Sequence, residues 1–563
     1  MLKESTKKED LSDNILDIVN QLNYGVTLLT EQKDKYELAY LNRIAGQKAK
    51  KNSAFNATSK YLNISMSLLD ESNWQSNYNF MLDVYVESAE AEYLNSNFKV
   101  AHKLANIAIE KASNTLDKSK VYEIIMQVYI TQNMLEEALN FGIRVLKNFN
   151  VNLTLKPTII NVFIAIAQTK LALVGKQVED LINLPEMTDP YKLAIMRILM
   201  MIIPAASQAG SLLFPLSVLA IVKLSVKYGN SPAAAFGYTV YGAILCDKFV
   251  DIETGYKFGS LGLKLLSKMD ANFLRCKIYF LFHGAIKHFK DPIIKTINPL
   301  TEAMQYGLEI GDIEYIGYNA WVKSENLFFS GINLDSVASQ IAKYVKQSHH
   351  LNLTLNVLCL NIFLQKVLNI QGESSHNITL AGKAFNEVEQ RHLLGETLTI
   401  LGGLYASKAI LAYLFHDYSE AINNALLTEK CHESNPGFLP YSVNNFYHSL
   451  ALLAQYPKTG LFERKQYLKQ VATNQKKMKL WAHHAPCNYQ HKYDLVEAEK
   501  ARILCKSTIA SDLYDKAIAG AKANDYTQEV ALANELAGKF YLELGKENIA
   551  KVYMTDAYYA YVK

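Results

Sequence analysis

Proline and glycine are scarce in this chain, 12 and 26 among 563 residues. Turn-rich all-β architectures need both in number, so the shortage points to helices. Cysteine is scarce as well and shows no pairing pattern. Cys246, Cys276, Cys359, Cys431, Cys487 and Cys505 include no Cys-x-x-Cys, and the first ten residues, MLKESTKKED, hold no apolar stretch of the signal-peptide kind. Both features fit a reducing, cytoplasmic setting, in which the sequons at Asn56 and Asn352 carry no glycosylation meaning. An excess of charge is missing too. Against 58 Lys and Arg stand 54 Asp and Glu, a net charge of +4, far from the basic surplus that backbone-led nucleic-acid binding leaves in a composition.

Catalytic signatures are also absent. A phosphate-binding loop needs Gly-Lys followed by Ser or Thr, yet Gly175-Lys176, Gly382-Lys383, Gly538-Lys539 and Gly545-Lys546 are followed by Gln177, Ala384, Phe540 and Glu547. Gly255, Gly259 and Gly262 lack a preceding strand and read as close helix packing. No Gly-x-Ser-x-Gly, His-Glu-x-x-His or kinase set occurs.

What the chain does hold is apolar residues, half of the total, with a fifth charged. This excludes disorder. At about 150 residues per domain the length suggests roughly four domains or one repeat array, and the pattern of small residues favours the array. A tetratricopeptide repeat is a pair of antiparallel helices in about 34 residues, with small residues where the helices cross. The clearest copy has Gly538 and Tyr541 on its first helix, Gly545 in the turn, and Ala550, Tyr553 and Ala557 on the second. Related second helices are expected at Phe98 with Ala101, Ala105 and Ala108, at Leu135 with Ala138 and Gly142 (Tyr129 preceding), and at Tyr418 with Ala421 and Ala425. The fold class expected is an all-α, tetratricopeptide-like helical-repeat solenoid with irregular spacing. Ile15, Ile18, Val19 and Leu22 open it as an apolar stripe, with Ser12 or Asp13 as N-cap.

Texture divides the chain into N-terminal repeats over 1–155, an apolar, proline-richer middle over 156–345, and C-terminal repeats over 346–563. LPEMTDP, from Leu184 to Pro190, reads as a loop whose Thr188 or Asp189 caps a helix beginning at Pro190. Further breaks are expected between Lys346 and Gly372 and around 435–440. Ile198 to Val222 is free of charge and long enough to span a bilayer. Pro204, Ser207, Gln208, Gly210, Ser211 and Pro215 break it, so two shorter buried helices and a turn are expected rather than a membrane span. Leu351 to Cys359 alternates like a strand, but its helical neighbours make it a buried helix.

One cluster invites a metal. His483, His484, Cys487 and His491 place four zinc-type ligands within nine residues, with Cys487 and His491 sharing a face of a helix after Pro486. The competing reading makes His483 and His484 a solvated helix end and gives His491 a hydrogen bond at a helix junction. Adjacent histidines before a proline converge poorly on one ion, so no metal, catalytic or cofactor residue is assigned. His349 and His350 read as exposed, and His283 and His288 as lying beside Phe282 and Phe289. The 35 tyrosines and 23 phenylalanines sit at helical spacing beside alanines, as packing residues do.

Taken in order, ILDIVNQLN (from Ile15), AGQKAK (Ala45), LDKSKVY (Leu116), LPEMTDP (Leu184), GNSPAAAFGYTVYG (Gly229), NYQHKYDLVEAEKAR (Asn488) and the run from Ala531 to Tyr561 resemble the tetratricopeptide-like region of very large multi-domain signalling kinases of cyanobacteria, other bacteria and fungi. In those proteins a serine/threonine kinase and an AAA/STAND ATPase precede the region, and GAF or PAS sensors with a histidine kinase often follow. The resemblance implies an internal, non-catalytic region lying between the ATPase and the sensor. Its partner would be a protein or a neighbouring ATPase, kinase or sensor domain, with no nucleic acid, membrane or cofactor. In the family His491 falls in a structural motif. Two alternatives stand beside this reading: a module whose middle, Ile198 to Tyr241, senses a small hydrophobic molecule, and a metal-dependent hydrolase built on His483, His484, Cys487 and His491.

Overall fold

A computed structural model describes residues 14–52, 54–395, 397–432 and 437–563. Among them every regular element is an α- or 3-10 helix, and extended pairing is confined to isolated bridges, Glu186 with Asn230 and Ala381 with Asn386. Most helices pack mainly on a neighbour in sequence. The fold is all-α, of the tetratricopeptide-like helical-repeat solenoid class.

Scarce glycine does not prevent the tight turns, because one turn recurs with other residues in it. After the first helix of a pair, one residue takes a left-handed conformation and the following N–H reaches back five residues to a carbonyl. Asn97 N reaches Glu92 O at 2.8 Å, Met134 N reaches Tyr129 O at 2.9 Å, Asp417 N reaches Ala412 O at 2.8 Å, Lys506 N reaches Ala501 O at 2.9 Å and Lys546 N reaches Tyr541 O at 2.9 Å. This is the hydrogen bonding of a Schellman C-cap. The left-handed residue is Ser96, Asn133, His416, Cys505 or Gly545, at φ between 57° and 71°; only the last is the glycine that such turns favour.

Alanine makes the seams between paired helices. Ala101, Ala105 and Ala108 of Phe98–Lys111 are wholly buried, as are Ala138 of Leu135–Asn148 and Ala425 of Tyr418–Cys431. In the last pair, Thr527–Glu543 and Glu547–Val562, Ala550 and Ala557 are buried and Tyr553 stacks on Tyr541 at 5.3 Å. Of the middle glycines, Gly255 and Gly262, with Gly242, let two backbones touch, whereas Gly259 makes room for the Ile286 and Phe282 side chains. A Cβ on Gly242 of Pro232–Asp247 would lie 2.5 Å from the Gly255 carbonyl on Ile252–Lys268, and one on Gly262 would lie 2.6 Å from Ala235 O.

The apolar run becomes two helices, Pro190–Gln208 and Leu213–Tyr228. Pro190 opens the first, and Asp189 caps it by accepting from Tyr191 N at 2.8 Å. Gly210 makes the turn at φ 61°. Pro204 stays inside the first helix rather than ending it, because its neighbours Ile202, Ile203, Ala205 and Ala206 are buried and held by packing. By length and composition Pro190–Gln208 could cross a membrane, and half of that window is buried inside the protein. The alternating stretch forms a turn and then the helix Thr354–Ile370. The expected caps Ser12 and Asp13 and the start of the break at 435–440 lie outside the described residues; the first described helix, Ile15–Tyr24, follows Asn14 with no side-chain cap.

Backbone contacts divide the chain into two compact units. One comprises the residues up to Phe163 with Met187–Ala206 and Leu212–Ser217; the other comprises Ile164–Glu186, Ser207–Ser211 and Val218–Lys563. The blocks 1–155, 156–345 and 346–563 are a division by sequence texture, whereas these two units interleave in sequence between 164 and 217. The second unit holds the large core that runs from Ala243 through Trp481 and Tyr489 to Ala550.

Candidate functional site

The four candidate ligands meet three different surroundings. His483 and His484 end the helix Leu461–His484, where His483 is exposed and His484 Nδ1 lies 3.3 Å from Glu253 Oε1. Cys487 and His491 sit on Pro486–Ile503, which starts at Pro486 as the sequence indicates. Cys487 is half-buried, and burial pushes its thiol up. His491 is buried with Nε2 on Glu529. Among the described residues no group of three or more His, Cys, Asp or Glu is placed to hold a metal ion. His349 and His350 are exposed, while His283 and His288 pack on Phe282 and Phe289 at 5.2 and 4.1 Å.

What the NYQHKYDLVEAEKAR run builds instead is a buried polar network. Asn488 uses its whole amide: Nδ2 donates to His288 O at 2.7 Å and Asp291 O at 2.8 Å, and Oδ1 accepts from Ile293 N at 3.2 Å and Tyr526 Oη at 2.7 Å. His288 Nε2 lies 2.7 Å from Gly437 O, which can only accept, so the proton is on Nε2. Nδ1 then accepts from Tyr489 Oη at 2.6 Å. Burial holds this imidazole neutral, its pKa brought down to about 4. Lys492 Nζ donates to Asn488 O and to Glu529, both at 2.9 Å, with its charge 4.4 Å from the Tyr526 ring. Burial raises the Glu529 carboxyl, but the charges and hydrogen bonds of Lys492 and His491 more than reverse it. Further along the same helix, Glu499 accepts from Arg502 at 2.8 Å and from Tyr514. These residues have the composition of a catalytic cluster, but their polar atoms are spent on protein partners, with His491 Nδ1 the exception.

A cavity of about 270 Å³ lies beside this network. Asp247, at the end of Pro232–Asp247, forms its floor with His432. His432 Nε2 is 2.9 Å from Asp247 Oδ1, and its ring stacks on Tyr441 at 4.1 Å. Asn444 and Asn445 of Leu439–Gln455, and Thr473, Lys477 and Trp481 of Leu461–His484, line the rest with Phe289 and Phe438. Burial pushes the Asp247 carboxyl up, but the hydrogen bond and charge of His432 and the charge of Lys248 outweigh it, so the group is held below the usual carboxylate range. None of the lining residues belongs to Ile198–Tyr241, the stretch named in the alternative small-molecule reading. Sequence reasoning also missed Asp247, His432, Asn444 and Asn445. They come from three separate segments, and no local spacing announces them.

The outer side of Glu547–Val562 is a second feature. Val552, Tyr558, Tyr559 and Val562 are each at least 60% exposed, with Ile549 beside them. Positions 552 and 559, and 558 and 562, share faces at helical spacing, so these side chains are neighbours on one side of the helix, with exposed Lys551 and Thr555 among them.

No protein-family profile matches the chain. Among curated proteins it is similar to hybrid signal transduction histidine kinase G of Dictyostelium discoideum, with 21% identity over 382 residues, 62% of this chain and 11% of the kinase. The chain therefore spans a small part of that relative's length. Among solved structures it is similar to yeast Tom70 at 13% identity, covering 89% of this chain and 95% of that one with a TM-score of 0.30. It is also similar to Naa15/Naa10 bound to HypK-THB at 11% identity, covering 98% and 95% with a TM-score of 0.22.

Proposed function

We propose that the chain is a non-catalytic helical-repeat region that scaffolds or regulates a signalling ATPase or kinase through protein–protein or interdomain contact. The observation that carries this reading is the set of exposed apolar side chains on Glu547–Val562, Val552, Tyr558, Tyr559 and Val562, since neighbouring exposed apolar groups of this size mark surfaces that a packing partner covers. Similarity to a stretch of a hybrid signal transduction histidine kinase supports the signalling setting. The absence of phosphate-loop and kinase motifs from the sequence supports a role without chemistry of its own, and six free cysteines are in keeping with a reducing cytoplasm.

The test is cross-linking mass spectrometry on the native assembly, with a Val552→Asp, Tyr559→Asp double variant beside the wild type. ATPase or phosphotransfer activity of the cross-linked domain is read in parallel. Cross-links from this face to a kinase, ATPase or sensor domain, lost in the variant together with a change in that activity, are expected. A face without protein contacts, or activity indifferent to the variant, overturns the reading.

A further inference from the structure

Ile159–Leu173, with the sequence IINVFIAIAQTKLAL, is apolar nearly all round, a composition that belongs in a core or in lipid. Yet one side of it faces water. Ile164, Ala167, Leu171 and Val174, the last one residue past the helix end, recur at the spacing of a single helix face, and Ile160 and Phe163 continue that face toward the start of the same helix. The five large side chains among them are between 51% and 74% exposed. Thr169, on the opposite side, is the one fully buried residue of the helix, and its hydroxyl donates to Ala165 O at 2.9 Å. The polar group is therefore turned inward and the apolar ones outward, the reverse of a helix that ends at water.

Charge narrows what covers this face. From Val151 to Val178 the chain holds no Asp or Glu, while Lys170 and Lys176 are exposed beside the face and just beyond it. Lys223 adds a third cation, its Nζ donating to Gln168 Oε1 at 2.9 Å. The acids that follow are Glu179, paired with Lys257 at 2.9 Å, and Asp180. A second copy of the face would bring only more lysine to these lysines. Protein interfaces are poor in lysine, rich in tyrosine, tryptophan and arginine, and carry roughly one hydrogen bond per 100–200 Å², whereas the side chains of this face offer only carbon. Aliphatic side chains flanked by lysines, whose long stems carry the charge out to the headgroups, are the make-up of helices that lie in a membrane interface. At 15 residues, roughly 22 Å, the helix is too short to cross a hydrocarbon core of about 30 Å.

We propose that the outer face of Ile159–Leu173 lies on an anionic lipid surface, with Ile164, Leu171 and Val174, continued by Ile160 and Phe163, at the acyl boundary and Lys170 and Lys176 among the headgroups. Flotation of the full chain with vesicles tests it, using phosphatidylcholine alone and phosphatidylcholine mixed in equal parts with phosphatidylserine. The wild type is expected to bind the anionic vesicles about tenfold or more tighter than the neutral ones, since every lysine near such a surface adds to the attraction. Ile164→Glu with Leu171→Glu is expected to weaken binding to anionic vesicles by about tenfold or more, and because both side chains are exposed the unfolding midpoint is expected to stay in place. Lys170→Glu with Lys176→Glu is expected to remove most of the preference for anionic lipid. The contact is separate from the exposed side chains of Glu547–Val562, so the Val552→Asp, Tyr559→Asp variant is expected to bind vesicles as the wild type does. No binding to anionic vesicles, binding that Ile164→Glu with Leu171→Glu retains, or binding lost in the Val552→Asp, Tyr559→Asp variant overturns the proposal. So does a dimer, seen by sedimentation velocity without lipid, that Ile164→Glu with Leu171→Glu dissociates, because a second copy then covers the face. Should that variant fail to fold, an unchanged lipid preference in the lysine variant overturns the proposal in its place.

Discussion

The two units solve the problem of holding helices together differently. In the first, interior polar groups are mostly small and self-contained, with Glu92 a buried carboxylate that accepts from Asn97 Nδ2 at 2.7 Å. Asn42 pairs with Asn23 at 2.9 Å, and Ser65 donates to Ala39 O at 2.8 Å. Its charged contacts lie on partly exposed flanks, where Arg43 spans Asp83 and Glu87 at 2.9 and 2.8 Å and Lys50 meets Glu90 at 2.6 Å. In the second, whole charged groups are buried. Lys492, Glu529, His491 and Glu499 are all within the interior, and Lys366 sits 3.5 Å from the Phe363 ring and 3.7 Å from that of Phe328 with no hydrogen-bond partner. Alanine seams suffice to stack helices; the buried network fixes a particular arrangement of distant segments, such as residues 288–293 with 488–492. That arrangement also shapes the cavity.

Removing one partner of each kind of ion pair gives the largest contrast. Glu529→Ala leaves Lys492 buried and uncompensated and is expected to cost about 3–5 kcal/mol. Glu87→Ala in the first unit is expected to cost about 1 kcal/mol or less. Urea unfolding of the two variants measures both, and equal losses would erase the distinction.

Acid separates the units next. Below its ordinary pKa the unfolded His288 takes up a proton that the folded imidazole refuses until about pH 4. The unfolded state therefore binds more protons between about 6.5 and 4, and stability falls as pH falls through that window, by about 3 kcal/mol in all. His283, brought down to about 3 by burial, acts in the same direction. Glu325 acts oppositely: burial raises its carboxyl to about 8, so its folded form keeps a proton that the unfolded chain loses above about 4.5. The difference between wild type and His288→Gln, followed by denaturant unfolding from pH 7 to 4.5, isolates the His288 part.

Glycine contacts give a smaller effect. Gly262→Ala forces a methyl group into Thr239 and the Ala235 carbonyl and is expected to cost about 1–3 kcal/mol. Gly46→Ala in the first unit meets the Leu62 side chain at 3.1 Å and Thr58 O at an ordinary 3.6 Å, and is expected to change stability by less than about 1 kcal/mol. Thermal unfolding compares them. The smallest effect is at the turns: Cys505→Gly relieves a left-handed residue and is expected to stabilise by about 0.5 kcal/mol, while Asn133→Gly is near neutral because asparagine tolerates that conformation.

The contrast also explains what could be read in advance. Alanine spacing at 101, 105 and 108, the copy from Gly538 to Ala557, and the helix start at Pro190 are local patterns, and each becomes the expected element. The glycines at 255, 259 and 262 likewise mark helix contact. His491 lies at a helix junction because Glu529, 38 residues away, meets it there. The cavity was not legible, since Asp247, His432, Asn445 and Trp481 gain meaning only when four helices converge. The left-handed turns were hidden for a different reason: Ser96, His416 and Cys505 are not residues that announce such a conformation.

Hydrogen exchange measured by mass spectrometry on the wild-type chain and on Glu529→Gln tests the anchoring role of the buried network most directly. The expected result is that Pro486–Ile503 is among the slowest-exchanging helices of the wild type, slower than Phe98–Lys111, and that the substitution accelerates it together with residues 288–293. Exchange in Pro486–Ile503 as fast as in Phe98–Lys111, or unchanged by the substitution, would contradict the account.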